Sequence, residues 1–189
     1  MNKSMLFKTQ PADFKKEIDV VGCYVEHDGS FILLHRQPYK THGGKWGLPA
    51  GKVDAGETVS RAMAREIFEE TGIEIPENDL VYFRSIFVRN EGHDFDYHMF
   101  LAKVAAPPGI TINPKEHQGY VWASPSEARK MDLIHDLDEC IGMFYFDDPT
   151  VGGKRRKVFS GEITKDKLSQ FSINNFTRAF DFIDRGMTT

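Results

Sequence analysis

The sequence predicts an α+β protein built on a mixed β-sheet with helices, followed by a further helix near the C-terminus. Three observations carry this. Runs rich in β-branched and aromatic residues recur at 20–25, 30–34, 80–88 and 97–104. A stretch of helical composition stops at Gly72. Near the end of the chain, Phe176, Ala179, Phe180 and Ile183 fall at i, i+3, i+4 and i+7, one apolar face of a helix.

In chain order, Val20 to Val25 and Ser30 to Leu34 flank Asp28-Gly29, whose glycine readily takes the positive φ of a tight turn, so a hairpin is expected. Pro38 to Gly56 is dense in Gly, Pro, His and Lys and reads as a long loop around Trp46-Gly47-Leu48-Pro49; loops of that length tend to be functional. Thr58 to Thr71 reads as a helix of about four turns with Gly72 at its C′ position. The runs Leu80 to Val88 and Tyr97 to Val104 flank the polar Asn90-Glu91-Gly92-His93-Asp94, and Tyr120 to Trp122 adds a short strand. Pro125 to Met131 begins a second helix capped by Ser124 or Ser126, with a third near Leu133 to Phe144. The expected organisation is an N-terminal arm over 1–16, one domain over 17–144, and a C-terminal extension over 145–189 formed by a hairpin or loop plus the amphipathic helix.

Composition narrows the function classes. A hydrophobic share of 40% with 15 phenylalanines supplies material for a globular core. The formal charge of -4 argues against a dedicated nucleic-acid binder, so an anionic substrate must be met by local cations. Cys23 and Cys140 lack the spacing of a zinc site or a disulfide framework and read as buried thiols. Met1 to Phe14 lacks an apolar leader core and no membrane-length apolar run occurs, so a cytoplasmic location is expected; the sequon Asn175-Phe176-Thr177 is discounted on that basis.

The chemistry concentrates in Gly51-Lys52-Val53-Asp54-Ala55-Gly56-Glu57 and Arg65-Glu66-Ile67-Phe68-Glu69-Glu70-Thr71-Gly72-Ile73. At about 100° per residue, Glu66, Glu69 and Glu70 share one sector of the helix, beside an apolar face of Met63, Ala64, Ile67 and Phe68. Like charges at these spacings repel, and the helix C-terminus disfavours anions. A divalent cation resolves that conflict, because Mg²⁺ prefers carboxylate oxygens and can bridge to phosphates. Arg61 and Arg65 stand one turn from Glu57 and Glu69, and Gly51 and Gly56 allow close backbone approach to a ligand.

Gly51 through Ile73 resembles the Nudix box, G-x5-E-x7-R-E-U-x-E-E-x-G-U with U aliphatic, at every specified position. The flanks are similar to the family too, from Leu33-Leu34-His35-Arg36 to Lys115-Glu116-His117 before Trp122, over residues 17–135. The resemblance implies an α/β/α sandwich and hydrolysis of a diphosphate bond in a nucleoside triphosphate or nucleotide sugar, releasing a nucleoside monophosphate. It also implies Mg²⁺, with Mn²⁺ as a substitute, held by Glu66, Glu69, Glu70, the Gly51 carbonyl and, from the later loop, Glu116. Glu57 would lie at the metal or one contact behind it, and Arg65 would orient the acidic cluster. Displacement at phosphorus would be in line, with a carboxylate taking the proton of the attacking water. Glu57, Glu69, Glu70, Glu116, His93 and Asp94 stay open as the base.

Arg36, Leu48 and Lys52 are the candidate substrate contacts, with Lys40 beside them and Phe31, Tyr39 or Trp46 available to stack on a base. The expected partner is a small-molecule nucleotide, not a membrane. Lys154-Arg155-Arg156-Lys157 reads as a solvated hairpin tip or as an arm over an active site, and the 176–183 face offers a homodimer contact. Two further readings stand beside the hydrolase: a nucleotide-sensing module without turnover, and an RNA 5′-end pyrophosphohydrolase.

Overall fold

A computed structural model describes residues 4–90 and 93–146. Glu91, Gly92, the basic run 154–157, the sequon, the 176–183 helix and the dimer contact expected there lie outside the described residues. The chain divides into two compact units, Met1–Asp138 and Glu139–Thr189. Described parts of the second are the end of one helix and a π-helical turn, Gly142–Phe146, in which the Phe144 and Tyr145 rings meet at 4.8 Å.

In the first unit the strands are β1 (Met5–Phe7), β2 (Lys16–His27), β3 (Ser30–Arg36), β4 (Trp46–Gly47), β5 (Ala50–Lys52), β6 (Val81–Asn90), β7 (His93–Lys103) and β8 (His117–Ala123). The helices are α1 (Val59–Thr71), α2 (Pro125–Ala128) and α3 (Leu137–Ile141), the last crossing into the second unit. The sheet runs β1-β6-β7-β2-β3-β4, with β5 added to β2 and β8 to β3. Among these strands β2 and β7 pair in parallel and the other pairs are antiparallel, so the sheet is mixed as expected.

The turn between β2 and β3 has Asp28 at φ 47 and Gly29 at φ 72, the two positive values of a type I′ connection. Past it the strands part. Glu26 and His27 pair with β3, whereas Val20 to Gly22 pair with β5. This change of partner lays Ala50–Lys52 beside the middle of the sheet, directly under α1.

Helix α1 starts where Thr58 Oγ1 accepts from the Arg61 N–H and ends where Gly72, at φ 72, donates its N–H to the Phe68 carbonyl. Its Ala62, Met63 and Ile67 are fully buried against Val21, Cys23 and Val25 of β2, Ile32 and Leu34 of β3, and Phe100 and Ala102 of β7. The expected apolar face needs one correction: Phe68 is 52% exposed. The buried arc is rotated toward Glu70 and Thr71, because Glu70 enters the space between helix and β5 with hydrogen-bond partners waiting there.

Two other boundaries move. Helix α2 is capped by Ser124, reciprocally with Glu127, and stops at Ala128. The third helix begins at Leu137 because the backbone before it is already used: Trp46 donates to the Asp132 carbonyl and accepts from the Ile134 N–H, with Leu133 bridged to Trp46. Within the expected arm, Met5–Phe7 adds an edge strand to β6, and Phe14 packs edge-on to Phe87 at 5.3 Å. Cys23 and Cys140 are both buried thiols outside any disulfide, and burial pushes the Cys23 thiol well up. No helix of the described residues is long and apolar enough to cross a membrane.

Candidate active site

Asp54 to Glu57 form a turn in which the Glu57 N–H donates to the Asp54 carbonyl and the Asp54 N–H to Glu57 Oε2, with Gly56 at φ 81. The turn carries Glu57 back toward Arg65 in the second turn of α1. Arg65 then gathers the acidic residues: Nε and Nη2 donate to the two Glu57 oxygens at 3.2 and 2.9 Å, and Nη1 to Glu66 Oε1 at 2.7 Å. Nη2 also donates to the Lys52 carbonyl at 2.9 Å, and Glu69 lies 3.5 Å from Nη1. Hydrogen bonds from Arg65 hold the Glu57 carboxyl below its ordinary range. Burial, together with the charges of Glu70 and Glu69, pushes Glu66 above it despite Arg65.

Gly51 leaves room for the Glu66 carboxyl group. A Cβ there would collide with the Glu66 carboxyl group, so a glycine lets helix and strand close to the distance at which the carboxylate overlies the strand backbone. Glu69 is half-exposed at the rim. Glu70 is 4% exposed, its Oε2 accepting from the Ala50 N–H at 2.9 Å and its Oε1 lying 3.0 Å from His117 Nε2.

The loop before β8 is stitched to this end of the helix. Thr111 and Asn113 donate backbone N–H groups to the Thr71 and Glu70 carbonyls. From the other side the segment after β3 clamps it: the Gln37 N–H donates to the Glu116 carbonyl, the Gln37 amide to the Pro114 and His117 carbonyls, and the Tyr39 hydroxyl to the Lys115 carbonyl. Glu116 is thereby brought to Glu70, and Lys40 pairs with it at 3.1 Å.

Ligand atoms of Glu70, Glu116 and His117 lie within 4.8 Å of one another, and Glu66 and Glu69 stand one turn or less away on α1. This oxygen-rich donor set, with the cradle over Gly51, fits a hard divalent cation. A second group, Asp19, Asp96 and His98, is already engaged with protein partners. Lys16 Nζ lies 3.1 Å from Asp19 and 3.7 Å from Asp96, and His98 bridges Asp19 and the Tyr82 hydroxyl. Burial works to raise Asp19, but the bonds from His98 and Lys16 outweigh it and leave its carboxyl below the usual range.

The remaining candidates are more scattered. Lys52 is exposed beside its own bonded carbonyl, while the Leu48 side chain is buried. Arg36 Nε donates to the Thr41 carbonyl. Trp46 stacks on His35 with centroids 4.4 Å apart and planes 8° off parallel. Tyr39 is 71% exposed, whereas Phe31 is core and packs edge-on to Tyr24. His93 pairs with Glu17, and Asp94 accepts from Arg89 and the Lys15 N–H, so both are engaged with the N-terminal segment. The contact of His117 with Glu70, across 47 positions, is not legible locally; only its adjacency to Glu116 hints at it.

The model of the NUDIX domain family matches residues 16–141. The chain is 32% identical over 124 residues to the CTP pyrophosphohydrolase of Escherichia coli K12, covering 62% of this chain and 84% of that one. It is 30% identical over 123 residues to the nucleoside triphosphatase NudI of Salmonella typhimurium, covering 60% and 86%. Among solved structures, a MutT protein from Methanosarcina mazei Go1 superposes with a TM-score of 0.58 at 28% identity, over 69% of this chain and 94% of that one. With the box intact and its carboxylates gathered between α1, β5 and the loop before β8, the chain belongs to the Nudix family of hydrolases.

Proposed function

We propose that the protein is a Mg²⁺-dependent pyrophosphohydrolase that cleaves the diphosphate linkage of a nucleoside triphosphate or a nucleotide sugar and releases a nucleoside monophosphate. The observation that supports this reading is that Glu70, from the box, meets Glu116, from a distant loop, on the same helix whose Arg65 gathers Glu57, Glu66 and Glu69. The names of the E. coli and Salmonella relatives, a CTP pyrophosphohydrolase and a nucleoside triphosphatase, favour a triphosphate.

A divalent ion bound here would polarise the diphosphate oxygens and make the attacking water more acidic. Glu66, Glu69, Glu70 and Glu116, with the Gly51 carbonyl, would hold it. Arg65 holds Glu57 and Glu66 together in fixed orientations by donating to them from three nitrogens. Glu70 and Glu116 are also the favoured candidate proton acceptors, because their carboxyl oxygens lie close together where the ion would sit. Lys40, paired with Glu116, and the exposed Lys52 and Arg36 supply cations for the phosphates.

Product analysis on a panel of nucleoside triphosphates, nucleotide sugars and dinucleotides with Mg²⁺ tests the reading. Glu69→Gln and Glu70→Gln are expected to lower kcat by roughly 10²-fold or more with the circular dichroism spectrum retained. Nucleotide binding without turnover by the wild type would move the protein to the sensing class; salt-insensitive cleavage of a mononucleotide separates it from an RNA-end enzyme.

A further inference from the structure

We propose that His117 is a positioning residue for the diphosphate-cleaving reaction, its Nε2–H fixing the plane of the Glu70 carboxylate; this rests on the functional reading above. The geometry is a two-point clamp. Glu70 Oε2 is anchored by the Ala50 N–H and Oε1 by His117, at 2.9 and 3.0 Å. With one anchor the carboxylate could swivel about its terminal torsion, a soft two-fold rotation. With two, the torsion is fixed, and one Glu70 oxygen is held within 4.8 Å of ligand atoms of Glu116 and His117 with a lone pair to spare.

The ring is itself held. His117 is 1% exposed, its N–H donates to the Asn113 carbonyl, and its carbonyl accepts from the Gln37 amide. Its other ring nitrogen, Nδ1, is buried and has no hydrogen-bond partner among the described residues. A buried unsatisfied polar atom costs stability that an apolar side chain of similar shape would avoid, so packing alone does not account for a histidine here. The contact with Glu70 accounts for it: Nε2 carries the proton, the carboxylate accepts, and bare Nδ1 is the residual cost.

Three measurements test this. Mn²⁺ binding to the nucleotide-free protein is followed by electron paramagnetic resonance, steady-state kinetics use Mg²⁺ and the preferred nucleotide, and long-range ¹H–¹⁵N spectra report the ring tautomer. His117→Phe should lower kcat and Mn²⁺ affinity by about 10- to 100-fold with KM little changed. His117→Gln, which returns a donor near the Nε2 position, should recover most of both. Wild-type His117 should carry its proton on Nε2, with a resonance that shifts in Glu70→Gln.

Wild-type kcat and Mn²⁺ affinity in His117→Phe would overturn the proposal, as would equal damage in the Phe and Gln variants. Should His117→Phe fail to fold, a wild-type ring protonated on Nδ1, or an Nε2–H resonance indifferent to Glu70→Gln, overturns it instead. If Glu70→Gln itself leaves turnover and Mn²⁺ binding intact, the reading of the whole site falls. If Glu70→Gln abolishes both while His117→Phe matches wild type, only the role of His117 falls.

Discussion

Glu66 is pulled in two directions. Burial and the neighbouring charges of Glu70 and Glu69 favour its neutral form, while the Arg65 guanidinium at 2.7 Å favours the carboxylate. Its present position depends on Gly51 as well as on Arg65, since a Cβ on the strand there would collide with the carboxyl group. Gly51→Ala therefore should displace Glu66 by about the width of a methyl group. A misplacement of about 1 Å in a site of this kind costs on the order of 10²-fold in rate. The expected outcome is a loss of that size in kcat with weaker Mn²⁺ binding and a cooperative thermal transition retained; wild-type kinetics would show that Glu66 has another place to go. At this scale much is legible in the sequence. The spacing of Glu66, Glu69 and Glu70 puts them on one sector, and Arg65 follows from the same helix geometry. Their different fates, with Glu70 buried and Glu69 at the rim, depend on which side of α1 meets β5, which no single-helix argument contains.

At the scale of elements, α1 and the β2–β3 hairpin are readable because their ends are written locally, in Thr58, Gly72 and Asp28-Gly29. The elements that depart from expectation are those whose ends are set by distant partners. Residues 132–134 give their backbone to Trp46 and so delay the third helix, and Met5–Phe7 becomes a strand only because the β6 edge is there to receive it. The N-terminal segment is tied to β6 and β7 by charge. Arg89 donates to Asp13 at 3.1 Å and to both Asp94 oxygens at 2.9 Å, and Asp94 also accepts from the Lys15 N–H. Bonds from Arg89 hold both carboxyls below their usual range. A carboxyl with a depressed folded pKa adds stability above its unfolded pKa, and that contribution disappears as pH falls through the folded value. Arg89→Ala should thus lower the Tm at neutral pH, with the difference from wild type closing in acid below the ordinary aspartate range. A gap that stays constant on acidification would mean that Arg89 contributes packing, not charge. Catalytic activity at neutral pH should be little altered, because Asp13 and Asp94 are engaged with Arg89 and the N-terminal segment and not with the Arg65 cluster.

For the molecule as a whole, the parallel β2–β7 pair is the join on which the site depends. It brings the chain after the box back beside β2, so that the loop before β8 can reach the end of α1. That closure concentrates carboxylates in a partly buried place, and the ion-free protein bears the repulsion. The sign is set by Glu66: a carboxyl whose folded pKa is raised, first by burial, gives stability present below its unfolded pKa and lost as pH rises through the folded one. The ion-free wild type loses that contribution as pH rises away from the ordinary glutamate range. Two consequences can be read in one thermal-shift experiment. Mg²⁺ or Mn²⁺ should raise the Tm in a concentration-dependent way, by the equivalent of about 2.7 kcal/mol at a hundred times Kd, and a chelator should reverse it. Glu66→Gln should raise the Tm of the chelated protein at neutral pH, since the amide can still meet Arg65 without carrying the charge, and should forfeit most of the ion-dependent gain. Lowering the pH toward the ordinary glutamate range should shrink the advantage of the ion-free variant, because wild-type Glu66 then takes up its proton. A chelated Glu66→Gln protein less stable than wild type at neutral pH would reverse the assignment, making the Arg65–Glu66 pair a net stabiliser of the fold and leaving the acidic cluster with no conflict for a cation to relieve.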